Sequence, residues 1–590
     1  MQFLAKPNEW DKSHTCLSKY LVTRLYQLVD IYEVISYRYP ITNGIILLEE
    51  LYDTATACLK RPKTKDRLKS LLEECLDTNI QTSIINDPVL EKYFKNIKND
   101  FQPFLNKDLD ETDIKKLQSI SLTYIATINN KYVELIFLQL KAIDLYSNKF
   151  DTQSQKIDSI LKILVAFALH SEHSLIHLKI SFKGLINDSP DTLVEQLSKI
   201  FSFAQDRNYE YYIKMSDALN VELKAQLDAN YDNTRAAYIF KASGKDAFSA
   251  YRNKVTTAFR KLYVKNADIN LKDNAVIWEN VTFFNENTNQ ESQLNFIDDR
   301  DPIIPLARIN TLEESLKKYK KLQDFEDEVL GKVEESLYLY HLALSVPTIE
   351  NSYVLLWTAL ESLMGLRTNE ADILTIKKNV SSTLALGAVG RRVNATIQRI
   401  RTTSNAIKWT KIYSPQNNSK ANEFDPIGLC DWICWIIDRS KKNTSEDPYH
   451  DMQSEPLLCK QYRDINEKWE KLEDLHKLIT LSKRNLDYQL DRLYQTRNRI
   501  VHSGRFGRSG NYLWIHLEWY VAKLLAVSIL ILDNISFNFE LDANPRDIVF
   551  GCLRGQYQSS INYLERHKNK IINPDDVLAS GITRFPVLCF

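Results

Sequence analysis

Across most of this chain apolar residues recur at intervals of three and four, as in "LVTRLYQLVDIYEVISYRY" (21 to 39) and "KIDSILKILVAFALHSEHSLIHLKISF" (156 to 182). Such runs bury one face of an amphipathic helix, whereas a strand would alternate at every second residue. Only 14 glycines and 16 prolines punctuate 590 residues, too few for the many tight turns of a sandwich or barrel. The pattern predicts an all-α, mainly helical fold: an N-terminal helical array followed by a C-terminal helical bundle with a basic insertion. A chain this long accommodates roughly three or four domains.

The helical array is read over 1–265, with a subdomain break near 150–190 and turn formers at "YPITNG", "NDPVL", "NDSPD" and "DANYDNT". Between 266 and 304 the period fails and Asn, Asp and β-branched residues accumulate, which marks a linker with a short hairpin. A second domain is read over 305–565, with an irregular basic insertion at 373–480, and a tail over 566–590. Seventy-six basic residues balance 76 acidic ones, so any electrostatic function rests on local clustering. Eight scattered cysteines suit free thiols in a reducing compartment. The start "MQFLAKPNEWDKSH" has no apolar signal core, and "VAKLLAVSILIL" (521 to 532) is short and interrupted by Lys523. The expectation is a cytoplasmic protein without a membrane segment.

The densest polar constellation is "YQTRNRIVHSGRFGR" (494 to 508). At 100° per residue, Leu486, Leu490, Leu493, Ile500 and Val501 fall within about 60° of Arg497, which places the arginine in an apolar stripe. Asn498, Asp491 and His502 fall together along the stripe's edge. A guanidinium there needs an anion. In the apolar helix "NSYVLLWTALESLMGL", Glu361 is the only charge and is the predicted partner. His502 falls in the last helical turn before Ser503 and Gly504, where the helix dipole favours imidazolium. A guanidinium beside an imidazole suits phosphodiester chemistry, with Arg497 holding phosphate and His502 moving protons. The same spacing also fits a structural Arg497–Glu361 ion pair with Asn498 and His502 capping the helix.

From Ile373 to Asn422 nine basic residues stand without one acid, where the average would be about six acids per fifty residues. Within it, "GRRVNATIQRIRTTSNAIKWTK" reads as a phosphate-tracking surface of Arg391, Arg392, Arg399, Arg401, Lys408 and Lys411, with Trp409 and Tyr413 to stack bases. Arg505 and Arg508 extend it beyond the motif. A solvated basic face paired with acids such as "DFEDE" (324 to 328) is the alternative.

With "RNRIVH", in which four residues separate Arg497 from His502 and Asn498 follows the arginine, the chain resembles the HEPN superfamily of helical nucleases. The context "YQTRNRIVHSG", preceded by "SYVLLWTALESLMG", is similar to the Apea-like HEPN group of bacterial anti-phage proteins. The resemblance spans about 305–565 and implies a four- or five-helix bundle. It also implies metal-independent RNA cleavage by 2′-OH attack, leaving a 2′,3′-cyclic phosphate. Arg497, Asn498, His502 and Glu361 would be the catalytic set. Two such units line one cleft in that family, so a single motif here implies a homodimer. An abortive-infection toxin with a phage-derived trigger or regulatory partner at the N-terminal region follows from the same likeness. A non-catalytic RNA-binding module and a helical scaffold are the competing readings.

Two weaker constellations involve metal ligands. His170, His173 and His177 share a helix face, and Cys430, Cys434, His450 and Cys459 could form a tetrahedral zinc site. Trp432 and Trp435 around the cysteines indicate packing instead, and no cofactor is expected.

Overall fold

The computed structural model describes residue 10 and residues 13–29, 42–60, 65–77, 88–128, 131–147, 149–201, 206–213, 221–265, 281–285, 290–294, 327–346, 348–364, 373–402, 426–438, 455–503, 510–535, 548–585 and 588. The fold is mainly helical, as the three-and-four periodicity requires.

Side-chain caps start the first helices. Thr15 Oγ1 accepts from Ser18 N (3.2 Å) at α1 (Cys16–Val29), and Asn43 Oδ1 accepts from Ile46 N (3.0 Å) at α2 (Gly44–Lys60). There follow α3 (Lys65–Leu76), α4 (Glu91–Leu105), α5 (Glu111–Ile128), α6 (Tyr132–Lys141), α7 (Phe150–His170), α8 (Leu175–Gly184) and α9 (Pro190–Ile200).

The helical reading of the first 265 residues omits a sheet. β1 (Arg207–Ile213) is followed by α10 (Val221–Leu227), β2 (Asn230–Asp232), β3 (Ala237–Gly244), α11 (Ala247–Lys265), β4 (Val281–Asn285) and β5 (Gln290–Leu294). The strand order is β2-β3-β1-β4-β5, every neighbouring pair antiparallel. Tyr211 sits at its centre, opposite Phe240 and Phe283 and in ring contact with Tyr251 of α11 (5.2 Å). These aromatics form a second, smaller core.

The remainder comprises α12 (Asp327–Ser345), α13 (Ile349–Leu363), α14 (Ile373–Leu386), α15 (Ala388–Thr402), α16 (Pro426–Ile437), α17 (Pro456–Lys468), α18 (Leu472–Ser503), α19 (Gly510–Ile535), α20 (Ile548–Arg566) and α21 (Pro574–Ser580). One apolar core runs from Leu17 of α1 through these helices to Leu588, so both ends of the chain share it. Its centre is α19, whose 26 residues exceed the short run read from sequence. Tyr512–Leu532 is long and apolar enough to cross a membrane, yet 94% of its most apolar window is buried inside the protein, including Lys523. Length alone therefore does not exclude a span here, and packing makes α19 a core helix.

Candidate functional site

The 32-residue α18 is roughly 48 Å long at 1.5 Å per residue, and "RNRIVHS" occupies its last two turns. Leu486, Leu490, Leu493 and Ile500 are buried, forming the apolar stripe. Val501 is not part of it: at 49% exposure, it lies with exposed His502 in the last turn of the helix. Neighbouring α13 fixes the stripe, because Tyr353 Oη donates to the Leu493 carbonyl (3.0 Å) and the Trp357 ring packs on Tyr494.

The predicted Arg497–Glu361 ion pair is not formed. Glu361 accepts instead from the indole Nε1 of Trp357, one turn back on its own helix (2.7 Å). Half-buried Arg497 donates from Nη1 to Asn498 Oδ1 (3.2 Å), and its Nε is buried without a hydrogen-bond partner. Among the described residues, no carboxylate lies within 4 Å of it. The structure thus brings Arg497 and Asn498 together, leaves His502 exposed one turn on, and sets Glu361 apart.

Sequence reasoning missed the residues just upstream. Arg492 is almost wholly enclosed: Nε donates to Glu50 of α2 (2.9 and 3.0 Å) and Nη2 to Glu74 of α3 (2.7 Å). Buried Asp491 accepts from Ser70 of α3 (2.9 Å) and Lys377 of α14 (2.8 Å), with Arg67 Nη1 at 3.5 Å. Arg484 meets Asp77 at 2.7 Å. Burial alone would raise the Glu50 carboxyl, but Arg492 and Arg67 more than offset that and hold it low. For Glu74 burial wins, and its carboxyl is raised despite Arg492. The available signal was the spacing of Arg67, Ser70, Glu74 and Asp77, which lie three, four and three residues apart on one face.

The described part of the acid-free segment, 373–402, is largely core rather than an exposed track. Nearly every side chain from Val380 to Ile397 is buried. Arg391 is 4% exposed, donates from Nη1 to the Leu588 carbonyl (2.8 Å), and lies over the Trp519 ring. It is therefore unavailable to RNA, because its charge satisfies a buried carbonyl and an aromatic face. Arg392 is half-buried near Lys162 of α7. Half-buried Arg399 opposes the burial that pushes the Glu455 carboxyl up. The Arg401 side chain and Lys408, Lys411, Arg505, Arg508, Trp409 and Tyr413 lie outside the described residues.

The metal constellations do not assemble among the described residues, where no three ligating side chains converge. Cys430 donates to the Pro574 carbonyl (3.4 Å), and the hydrogen bond that the Cys434 thiol donates to Cys430, together with burial, raises the Cys434 thiol. Cys459 is buried, and His450 lies outside the described residues. His170 pairs with Glu49 (2.9 Å), while the His173 and His177 rings stack at 6.2 Å beside buried Asp246. Burial depresses both latter imidazoles, His173 to about 4.

Compared with family models, curated proteins and solved structures, the chain has no match.

Proposed function

We propose that the protein is a cytoplasmic HEPN-type endoribonuclease, a toxin in anti-phage abortive infection, working as a homodimer through its motif domain. The observation that carries the reading is the guanidinium of Arg497, half-buried, bonded only to its neighbour Asn498, and without a carboxylate partner among the described residues. A cation so placed is suited to an anion from outside the protein, and a phosphodiester supplies one.

In the proposed reaction the ribose 2′-oxygen attacks the adjacent phosphorus while the bond to the 5′-oxygen breaks. The 2′-proton leaves to a base, and the departing 5′-oxygen takes a proton, so the products are a 2′,3′-cyclic phosphate and a 5′-hydroxyl. Arg497 opposes the charge that grows on the non-bridging oxygens, Asn498 fixes the guanidinium, and exposed His502 exchanges protons. The tie between Glu361 and Trp357 makes it a wall of the bundle instead of the arginine's partner.

A scaffold role is the second reading, favoured by the burial of the acid-free helices and of Arg391. Labelled RNA incubated with wild type and His502→Ala separates the two. The nuclease reading expects cyclic-phosphate ends from wild type and none from the variant. Equal cutting by both removes His502 from the chemistry, and RNA that neither binds nor is cut supports the scaffold.

A further inference from the structure

The charged contacts upstream of the motif form a seam with its own regularity. Arg67, Ser70 and Glu74 of α3, with Asp77 just past its end, occupy the face where a helix pair ordinarily places apolar residues. They meet Arg484, Asp491 and Arg492 of α18, while α2 adds Glu50 and α14 adds Lys377. At its centre three carboxylates (Glu50, Glu74, Asp491) face three cations (Arg67, Lys377, Arg492), a neutral set.

An apolar seam of the same shape would hold these helices at least as firmly, because desolvating charges offsets most of their attraction. What forked hydrogen bonds add is orientation: a leucine tolerates rotation of its helix, and a guanidinium shared between two carboxylates does not. The place where orientation counts lies directly above. Asp491 and Asn498 are seven residues apart, about 20° from alignment on one helix face and roughly 10 Å along it.

We propose that Arg492 and Asp491, held by Glu50, Glu74, Ser70 and Lys377, are positioning residues that fix the rotation of the α18 end carrying Arg497, Asn498 and His502. The catalytic half of this inference rests on the nuclease reading above. The structural half does not.

The test compares the full chain with two variants of conserved shape. One is the double change Glu74→Gln and Arg492→Met, which removes one charge of each sign and leaves Glu50 and Asp491 facing Arg67 and Lys377. The other is Asp491→Asn. Backbone hydrogen exchange is followed at 493–503, with 349–363 in α13 as the internal reference. Steady-state RNA cleavage is measured in parallel. The inference expects exchange at 493–503 about tenfold faster with α13 unchanged. It also expects kcat lower by about tenfold or more with KM within about twofold, since a small misplacement affects the reacting geometry more than binding. Wild-type exchange at 493–503 in both variants, or undiminished kcat in both, overturns it. If exchange accelerates while even wild type leaves RNA intact, the seam's hold on α18 stands and the nuclease reading falls.

Discussion

Replacing Arg492 with alanine leaves two carboxylates buried without their shared cation. At an effective dielectric of about 20, unit charges 4 Å apart interact by about 4 kcal/mol, and Arg492 serves Glu50 and Glu74 together at 2.7 to 3.0 Å. Their desolvation, already borne by the fold, ceases to be offset. Breaking such a buried pair costs about 3 to 5 kcal/mol, and the upper end applies at pH 8, where both carboxyls are pressed to ionise. The sign with pH follows from linkage. Without Arg492, burial raises both carboxyl pKa values above their unfolded values. The folded form then keeps protons that the unfolded form loses, and stability falls as pH rises through that range. Because a tenfold change in proton affinity is worth about 1.4 kcal/mol, lowering the pH from 8 to 5 should restore roughly 2 to 3 kcal/mol. The wild type behaves otherwise at Glu50, whose carboxyl is held low, so its contribution is lost only in acid. Urea denaturation of both proteins at pH 5 and pH 8 measures all four stabilities. A loss under about 1 kcal/mol at pH 8, or the same loss at both pH values, would refute the argument that Arg492 neutralises buried charge.

His502→Ala should leave the urea midpoint within about 0.5 kcal/mol of wild type, because the side chain is exposed, while RNA cleavage is lost in a gel assay. Gly387→Ala should free the C-terminal segment: a Cβ there would meet the Leu588 carbonyl oxygen at 2.1 Å and the Arg391 guanidinium at 2.6 Å, so limited proteolysis should remove the last residues faster. His173 is held neutral, with its pKa depressed to about 4, so its contribution is complete above the unfolded value near 6.5 and is lost as pH falls toward 4. His173→Gln should flatten the stability profile between pH 6.5 and pH 4, by up to roughly 3 kcal/mol in urea titrations.

Helix content was legible because burial on one face of a helix imposes a period that survives in the letters. The sheet was legible only in its antiparallel β4–β5 pair, inside the 266–304 segment; β1 to β3 were not, since Tyr209, Tyr211 and Phe240 enter the core on short strands between helical patterns. The stripe of α18 was legible as far as Ile500 and failed at Val501, because periodicity records which face is apolar and not how far along the helix that face is covered. Glu361 was misplaced for a related reason. Being the only charge from Asn351 to Leu366, it looked obliged to find a partner elsewhere, whereas Trp357 one turn away supplied an N–H donor. Arg492 escaped notice because it lies off the apolar stripe, on a face that resembles a solvated one until α2 and α3 cover it with carboxylates.

Over 373–402 the fold absorbs part of the acid-free segment's local excess of charge. Among the segment's described residues, Lys377 pairs with Asp491, Arg391 is satisfied by a carbonyl and a ring, and Arg399 lies beside Glu455. An acid on α14 or α15 would compete for cations that the other helices need. On the proposed RNA-binding reading, attraction falls to Arg401, Lys408, Lys411, Arg505 and Arg508, whose side chains lie outside the described residues, with half-buried Arg392. Each phosphate contact steepens the fall of log affinity with log salt by about 0.7 for a single strand. Removing both Lys408 and Lys411 should therefore flatten that slope by roughly 1.4. Arg391→Met should lower stability and leave the slope alone. A flatter slope in Arg391→Met, at unchanged stability, would return that arginine to the surface and undo the assignment of 380–397 to the core.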